Sequence, residues 1–134
     1  MVTFLPYSEF VLSAALLDYR RLGKQRVEAK QILDILLDRT ESKAWVNHPA
    51  VRMWRGYENS LKTYYNSILS VWICSGYKNN MLFEMIEGEI VDSPWLGNKD
   101  FHASHRSNLL RKNYDYYSKY GWTEPLDLPY IWPE

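Results

Sequence analysis

Between about Pro49 and Ser75, Trp54, Tyr57, Leu61, Tyr64, Ile68 and Trp72 recur at steps of three or four residues, the spacing that lines up side chains along one face of an α-helix. A stripe this long and this aromatic must be covered by other elements, so the rest of the chain has to supply partners for it. Pro49 suits the first turn and Gly76 the end. Glu58 lies between Trp54 and Leu61 on the same side, so it is expected to be partly shielded, as a structural bridge to Arg55 or to the first helices.

Two further helical patterns precede this one. Ser8 is the expected N-cap of the first, in which Phe10, Ala14 and Leu17 form a stripe that runs to about Leu22, with Gly23 expected to break it. The second runs from Lys24 to about Asp38 and places Ala29, Ile32, Leu33 and Leu36 on one side. Residues 39–49 read as a loop with Trp45 as an anchor. Met81 to Ile86 is expected to form a short helical turn, and Asp100 to about Tyr120 a helix interrupted near Asn113. Met1 to Tyr7 and the tail WTEPLDLPYIWP read as extended, the tail pinned by Tyr130 and Trp132. The expected architecture is all-α: a compact single-domain helical bundle over residues 1–134, with an extended N-terminal segment and a Pro/aromatic tail.

At 134 residues, one core without staples is the expectation. The lone Cys74 reads as a small buried hydrophobe in a helix face rather than a nucleophile. Nothing resembles a signal peptide and no run approaches the ~18 apolar residues of a membrane span, so the expected setting is the cytoplasm. Sixteen basic against sixteen acidic residues exclude a protein that coats nucleic acid by bulk charge. The charges are uneven, however, with Arg20, Arg21, Lys24, Arg26 and Lys30 close together around a single acid, Glu28. Taken alone, such a run is more often a solvated helix face than a site.

Glu28 shares a face with Ile32 and Ile35 at i, i+4 and i+7, so its carboxylate is expected at the core boundary. There desolvation disfavours its charge while neighbouring cations favour it, as in many acid and base catalysts and also in structural ion pairs. The run SHRSNLLRK at residues 104–112 offers His105, Arg106, Asn108, Arg111 and Lys112 as phosphate donors. His102 and His105 at i, i+3 suit capping, phosphate contact or a buried hydrogen bond better than a metal, since neither a Cys nor a second His-x-x-Glu pair accompanies them. No metal and no cofactor is expected. There is no Gly-rich phosphate loop and no GxSxG.

The blocks FLPYSEF, DYRRLGKQRVEAKQIL, NHPAVRMWRGYENSL, PWLGNKDFHASHRSNLLRK and LPYIWP resemble those of short bacterial and phage proteins classed with the pyrimidine-dimer DNA glycosylases. The activity assigned to that group rests on a more distant similarity to phage endonuclease V. The resemblance implies an all-α enzyme that excises dimerised pyrimidines and cleaves the strand by AP-lyase chemistry. In it the α-amine of the first residue attacks the sugar C1′, with a glutamate and several arginines beside it.

Carried onto this chain, the resemblance makes the amine of Met1, or of Val2 after loss of Met1, the nucleophile. Arg20 matches directly, Arg21 stands where the catalytic glutamate would fall, and Glu28 is the nearest acid to replace it, with Glu58 next. Lys24 or Arg26 stands in for a further arginine. The remaining expectations are a double-stranded, damaged or modified DNA partner, a monomer, and Trp54 or Trp45 stacking on a displaced base. An α-amine is a ready nucleophile, because its reference pKa of ~7.7–8.0 leaves far more of it neutral at pH 7 than a lysine at ~10.4. Two other readings stay open: a nucleic-acid-binding module that keeps the fold without the chemistry, and an enzyme acting on another modified base or nucleoside.

Overall fold

A computed structural model describes residues 1–133, and the secondary structure among them is entirely helical. The elements are α1 (Phe10–Ala15), α2 (Tyr19–Leu36), α3 (Pro49–Arg52), α4 (Glu58–Cys74), α5 (Lys99–Lys112) and α6 (Tyr114–Tyr117), followed by a 3-10 turn at Ser118–Tyr120. α4 is the central element. It buries Leu61, Tyr64, Tyr65, Ile68, Leu69 and Trp72, and α1 and α2 both pack on it. The stripe is therefore covered from two sides, as its length and aromatic content require.

The expected single helix over residues 49–75 is two helices. α3 ends after one turn, and the chain reverses through Gly56 at φ +90, a backbone conformation that L side chains rarely adopt. Glu58 closes the turn, its Oε2 accepting from Gly56 N–H at 2.9 Å. That corrects the expected bridge to Arg55, because the carboxylate satisfies a backbone donor at the start of α4 instead.

The first two helices divide elsewhere than at the glycine. α1 stops at Ala15, and α2 starts at Tyr19 and runs without a break through Gly23. Glu9, not Ser8, stands at the N-cap of α1, with no side-chain cap. The reason for a glycine mid-helix is the partner across it. A Cβ at Gly23 would lie 3.1 Å from Cζ3 of Trp72, so the residue permits close approach of α2 and α4 rather than a turn. Trp72 cannot retreat, since Nε1 donates to Lys78 O at 2.8 Å, Arg26 lies over its ring at 4.0 Å, and Tyr19 stacks on it. Gly23→Ala is expected to destabilise by about 1 kcal/mol in urea unfolding, as overpacking outweighs the ~1 kcal/mol that alanine adds in a helix.

Residues 78–92 contain no helical turn. They run along α4 with their backbone held by its side chains: Tyr65 Oη donates to Leu82 O, Asn66 Nδ2 to Glu84 O, Lys62 Nζ to Met85 O, and Asn59 Nδ2 to both Glu87 O and Glu89 O. Cys74, expected to be buried, is exposed at the end of α4.

The tail is strapped to α5. Arg106 pairs with Glu124 at 3.0 Å and donates to Pro6 O at 2.6 Å. Ser107 donates to Pro125 O, Asn108 to Leu128 O, and Arg111 to Leu126 O. Ser104 Oγ accepts from Ile131 N–H at 3.3 Å. These bonds bring Tyr130 and Trp132 back across the molecule toward the N-terminal segment. No helix among the described residues is long and apolar enough to cross a membrane.

Candidate active site

The extended segment Met1–Tyr7 is held by polar contacts from α5 and from the turn between α3 and α4. Thr3 Oγ1 accepts from Trp54 Nε1 at 3.1 Å, Leu5 N–H donates to His105 Nδ1 at 3.0 Å, and Leu5 O bonds His102 Nδ1 at 2.8 Å. The beginning of the segment lies against α2. There Met1, Val2, Phe4, Arg20, Arg21, Lys24, Gln25, Glu28 and Lys112 line a cleft of about 260 Å³.

Gln25 fixes the floor of this cleft. It belongs to the buried stripe of α2 with Leu22, Ala29, Ile32 and Leu33, yet carries an amide whose groups all find partners. Nε2 donates to Val2 O at 2.9 Å and to Glu28 Oε2 at 3.0 Å. Oε1 accepts from Phe4 N–H at 3.1 Å and Tyr64 Oη at 2.7 Å. One side chain thus sets the spacing between the N-terminal segment and the Glu28 carboxylate, and Tyr64 braces it from α4. Burial raises the Tyr64 phenol well above its ordinary value, and the Glu28 charge adds to this, so the group remains a donor.

The cations sort into two sets. Arg20, Lys24 and Lys112 line the cleft and have no hydrogen bond or ion pair among the described residues, whereas Arg21 pairs with Asp18 at 3.2 Å. Arg26 points the other way, over Trp72 with Nη1 on Asn79 Oδ1 at 3.0 Å, and does not line the cleft. α2 is therefore cationic along one face from Arg20 to Lys24, where it meets Lys112 from the end of α5.

Other expected contacts are buried or engaged. Trp54 is 0% exposed and cannot stack on a base without unfolding the core around Thr3. His105 and Asn108 are each 1% exposed, and Arg106 and Arg111 hold the tail, so this part of α5 is a structural seam rather than a phosphate-binding surface. Only Lys112, just beyond it, reaches the cleft. Trp45 is half-exposed, in edge contact with the His48 ring, which in turn meets Trp132.

Two groups near the cleft were not expected there from the sequence. His48 caps α3, its Nδ1 accepting from Ala50 N–H at 3.0 Å. Its pKa is lowered by burial and then by the positive charge of the chain terminus, with Glu28 opposing. Tyr130, from the tail, is pushed up to about 12 by burial, against the influence of Arg111 and Arg21 and with that of Glu28. For Gln25 a signal existed, since an amide on an otherwise apolar stripe is the informative exception.

A model of the pyrimidine dimer DNA glycosylases matches residues 1–85, which include every residue lining the cleft except Lys112. The chain belongs to that family. Membership makes DNA the substrate and DNA repair the setting. No curated protein and no solved structure matches the chain. Within this glycosylase-family chain, residues 86–133 lie outside the matched region, yet they supply Lys112 and bring Tyr130 and Trp132 to the same side.

His105 also gives the family member a pH-dependent stability. Burial drives its pKa to about 3, so between pH 6.5 and 3 the unfolded chain binds a proton that the folded one refuses. This contribution is complete above pH 6.5 and is lost as pH falls, at about 1.4 kcal/mol per pH unit. His102 and His48, also lowered, act in the same direction. Urea unfolding at pH 7 and pH 5 is expected to show the loss. Stability that is flat or rising toward pH 5 would contradict it.

Proposed function

We propose that this glycosylase-family protein excises damaged pyrimidines from duplex DNA through an imine formed by the α-amine of its first residue, and then cleaves the strand at the same sugar. The observation that carries this reading is the common cleft: the chain terminus at Met1 and Val2, the Glu28 carboxylate, and Arg20, Arg21, Lys24 and Lys112 around them. An amine beside a carboxylate within a cationic rim suits attack on a sugar flanked by phosphates.

The neutral amine nitrogen of Met1, or of Val2 where Met1 is removed, adds to C1′ as the bond from C1′ to the base breaks, and the departing base takes up a proton. Glu28 stabilises the positive charge that develops on the sugar. Its Oε1, which has no hydrogen bond among the described residues, then accepts a proton from the attached nitrogen and returns it to the ring oxygen as the bond from C1′ to that oxygen opens. The resulting iminium acidifies C2′. Loss of a C2′ proton expels the 3′-phosphate, and water then hydrolyses the iminium, freeing the amine. Arg20, Lys24 and Lys112 hold the flanking phosphates. The reaction requires no metal or cofactor, and one copy of the chain supplies all these groups.

The experiment is reductive trapping. Incubation with duplex DNA containing a pyrimidine dimer or an abasic site, followed by borohydride, is expected to give a covalent protein–DNA adduct. Folded protein that binds these duplexes and gives no adduct would exclude the amine mechanism.

A further inference from the structure

α2 begins against its own local chemistry. Asp18 stands at its N-cap, yet the carboxylate caps no backbone N–H, although aspartate is among the residues best suited to do so. The first turn carries Arg20 and Arg21 and no acid, where the positive end of the helix dipole disfavours cations. The Asp18 side chain is engaged elsewhere. Its Oδ1 accepts from Arg21 Nη1 at 3.2 Å and from the Tyr117 phenol.

Three phenols from one short stretch grip the linker that leads into α2. Tyr120 Oη donates to Leu16 O at 3.0 Å and Tyr116 Oη to Leu17 O at 3.5 Å, while Tyr117 Oη accepts from Asp18 N–H at 3.1 Å as well as donating to its carboxylate. Tyr117 is 0% exposed and lies on the Trp122 ring with planes 10° apart, so the phenol that meets Asp18 has no room to turn away. Burial, and then the bond to Asp18, raise its pKa above the ordinary value, so it remains a donor. All three tyrosines fall outside the residues that the family model matches.

Asp18 is itself 8% exposed, and Arg21 is the one cation paired with it among the described residues. A carboxylate so placed holds its partner in one geometry, since releasing it would leave a buried charge uncompensated. Only Nη1 of Arg21 is engaged. Its Nη2 and Nε have no hydrogen bond among the described residues, and the side chain lines the cleft beside Arg20. A guanidinium fixed on one side and free on the other is a pre-oriented fork for a phosphate. We propose that Asp18 and Tyr117 are positioning residues, which together hold Arg21 as a rigid clamp on a phosphate next to the attacked sugar. This rests on the reading that places the sugar in the cleft.

The test is reductive trapping at an abasic site in duplex DNA under single-turnover conditions, with duplex affinity measured alongside. Asp18→Asn removes the charge that holds Arg21, and Tyr117→Phe removes only the hydroxyl, leaving the ring on Trp122. Each is expected to trap about tenfold slower, as is Arg21→Gln, within the roughly hundredfold that a small misplacement can cost. Duplex affinity of Asp18→Asn should match or exceed that of the wild type, because an acid beside the cleft is gone. In protein already carrying Arg21→Gln, neither substitution is expected to slow trapping further, since a positioning residue acts only through the group it positions. A loss of stability alone would slow trapping equally with and without Arg21. That result, or a wild-type rate in any of the three single variants, would overturn the positioning role and leave the amine mechanism standing. Should Asp18→Asn fail to fold, Tyr117→Phe decides by the same comparison. Wild-type protein that binds the abasic duplex and gives no adduct would overturn the reading of the cleft, and the positioning role with it.

Discussion

Glu28→Gln is expected to slow adduct formation at a dimer by about 10²- to 10⁴-fold, the range lost when a positioned acid or base is removed. The substitution keeps the shape of the side chain, and its amide oxygen can still accept from Gln25 Nε2. What disappears is the negative charge that steadies the cationic sugar and the group that carries the proton from nitrogen to ring oxygen. DNA affinity should fall little or rise, because removing an acid from a cleft lined by Arg20, Arg21, Lys24 and Lys112 makes it more attractive to phosphate. A chain that only binds nucleic acid would show unchanged affinity and no adduct in either form. Unaltered adduct formation by Glu28→Gln would remove Glu28 from the mechanism and turn attention to another proton carrier near the terminus, with His48 the first to try.

Gln25→Leu is expected to cost about 3 kcal/mol of stability and to lower the trapping rate about 100-fold. The stability loss follows from the four bonds of this amide. Leucine fills the space but strands the buried Phe4 N–H, and an orphaned buried donor alone costs about 1–3 kcal/mol. A domain with the usual 5–15 kcal/mol remains folded after such a loss. The rate effect has a separate origin, since Val2 and Glu28 lose their common anchor, and displacements on the order of 1 Å can cost a hundredfold. Tyr64→Phe supplies the control, because it removes the brace while leaving Gln25 bonded to Val2, Phe4 and Glu28, and should change the rate far less. Equal losses of rate in the two variants would mean that stability, not spacing, governs activity.

Much of the helical content was legible because burial follows period. The 54–72 stripe identified α4, and the polar-apolar pattern after Leu22 identified most of α2. Local propensity misled at Gly23, where the deciding contact is the Trp72 ring 49 residues further on, and at residues 53–57, where an apolar period continued through a turn at Gly56. Residues 81–86 misled for a different reason, since α4 side chains satisfy the backbone that a helical turn would otherwise have satisfied itself.

The candidate site divides in the same way. Arg20, Lys24 and Glu28 share a helix face, so their proximity could be read from spacing, and family resemblance pointed to the chain terminus. The same spacing sets Arg26 on the opposite side of α2, about 200° round the helix from Lys24, where it lies over Trp72. The donors of α5 were misjudged because a tail of backbone carbonyls takes up polar side chains as readily as a phosphate does. That the tail lies there depends on pairings such as Ser104 with Ile131 and Asn108 with Leu128, between residues 20 or more apart.

The central claim is that the nucleophile is the amine of the first residue. The most direct measurement is mass spectrometry of the borohydride-trapped adduct after proteolysis. The account predicts the sugar remnant on the N-terminal peptide, attached to the α-nitrogen of Met1 or of Val2. A remnant on Lys24 or Lys112, the two unpaired lysines of the same cleft, would contradict it.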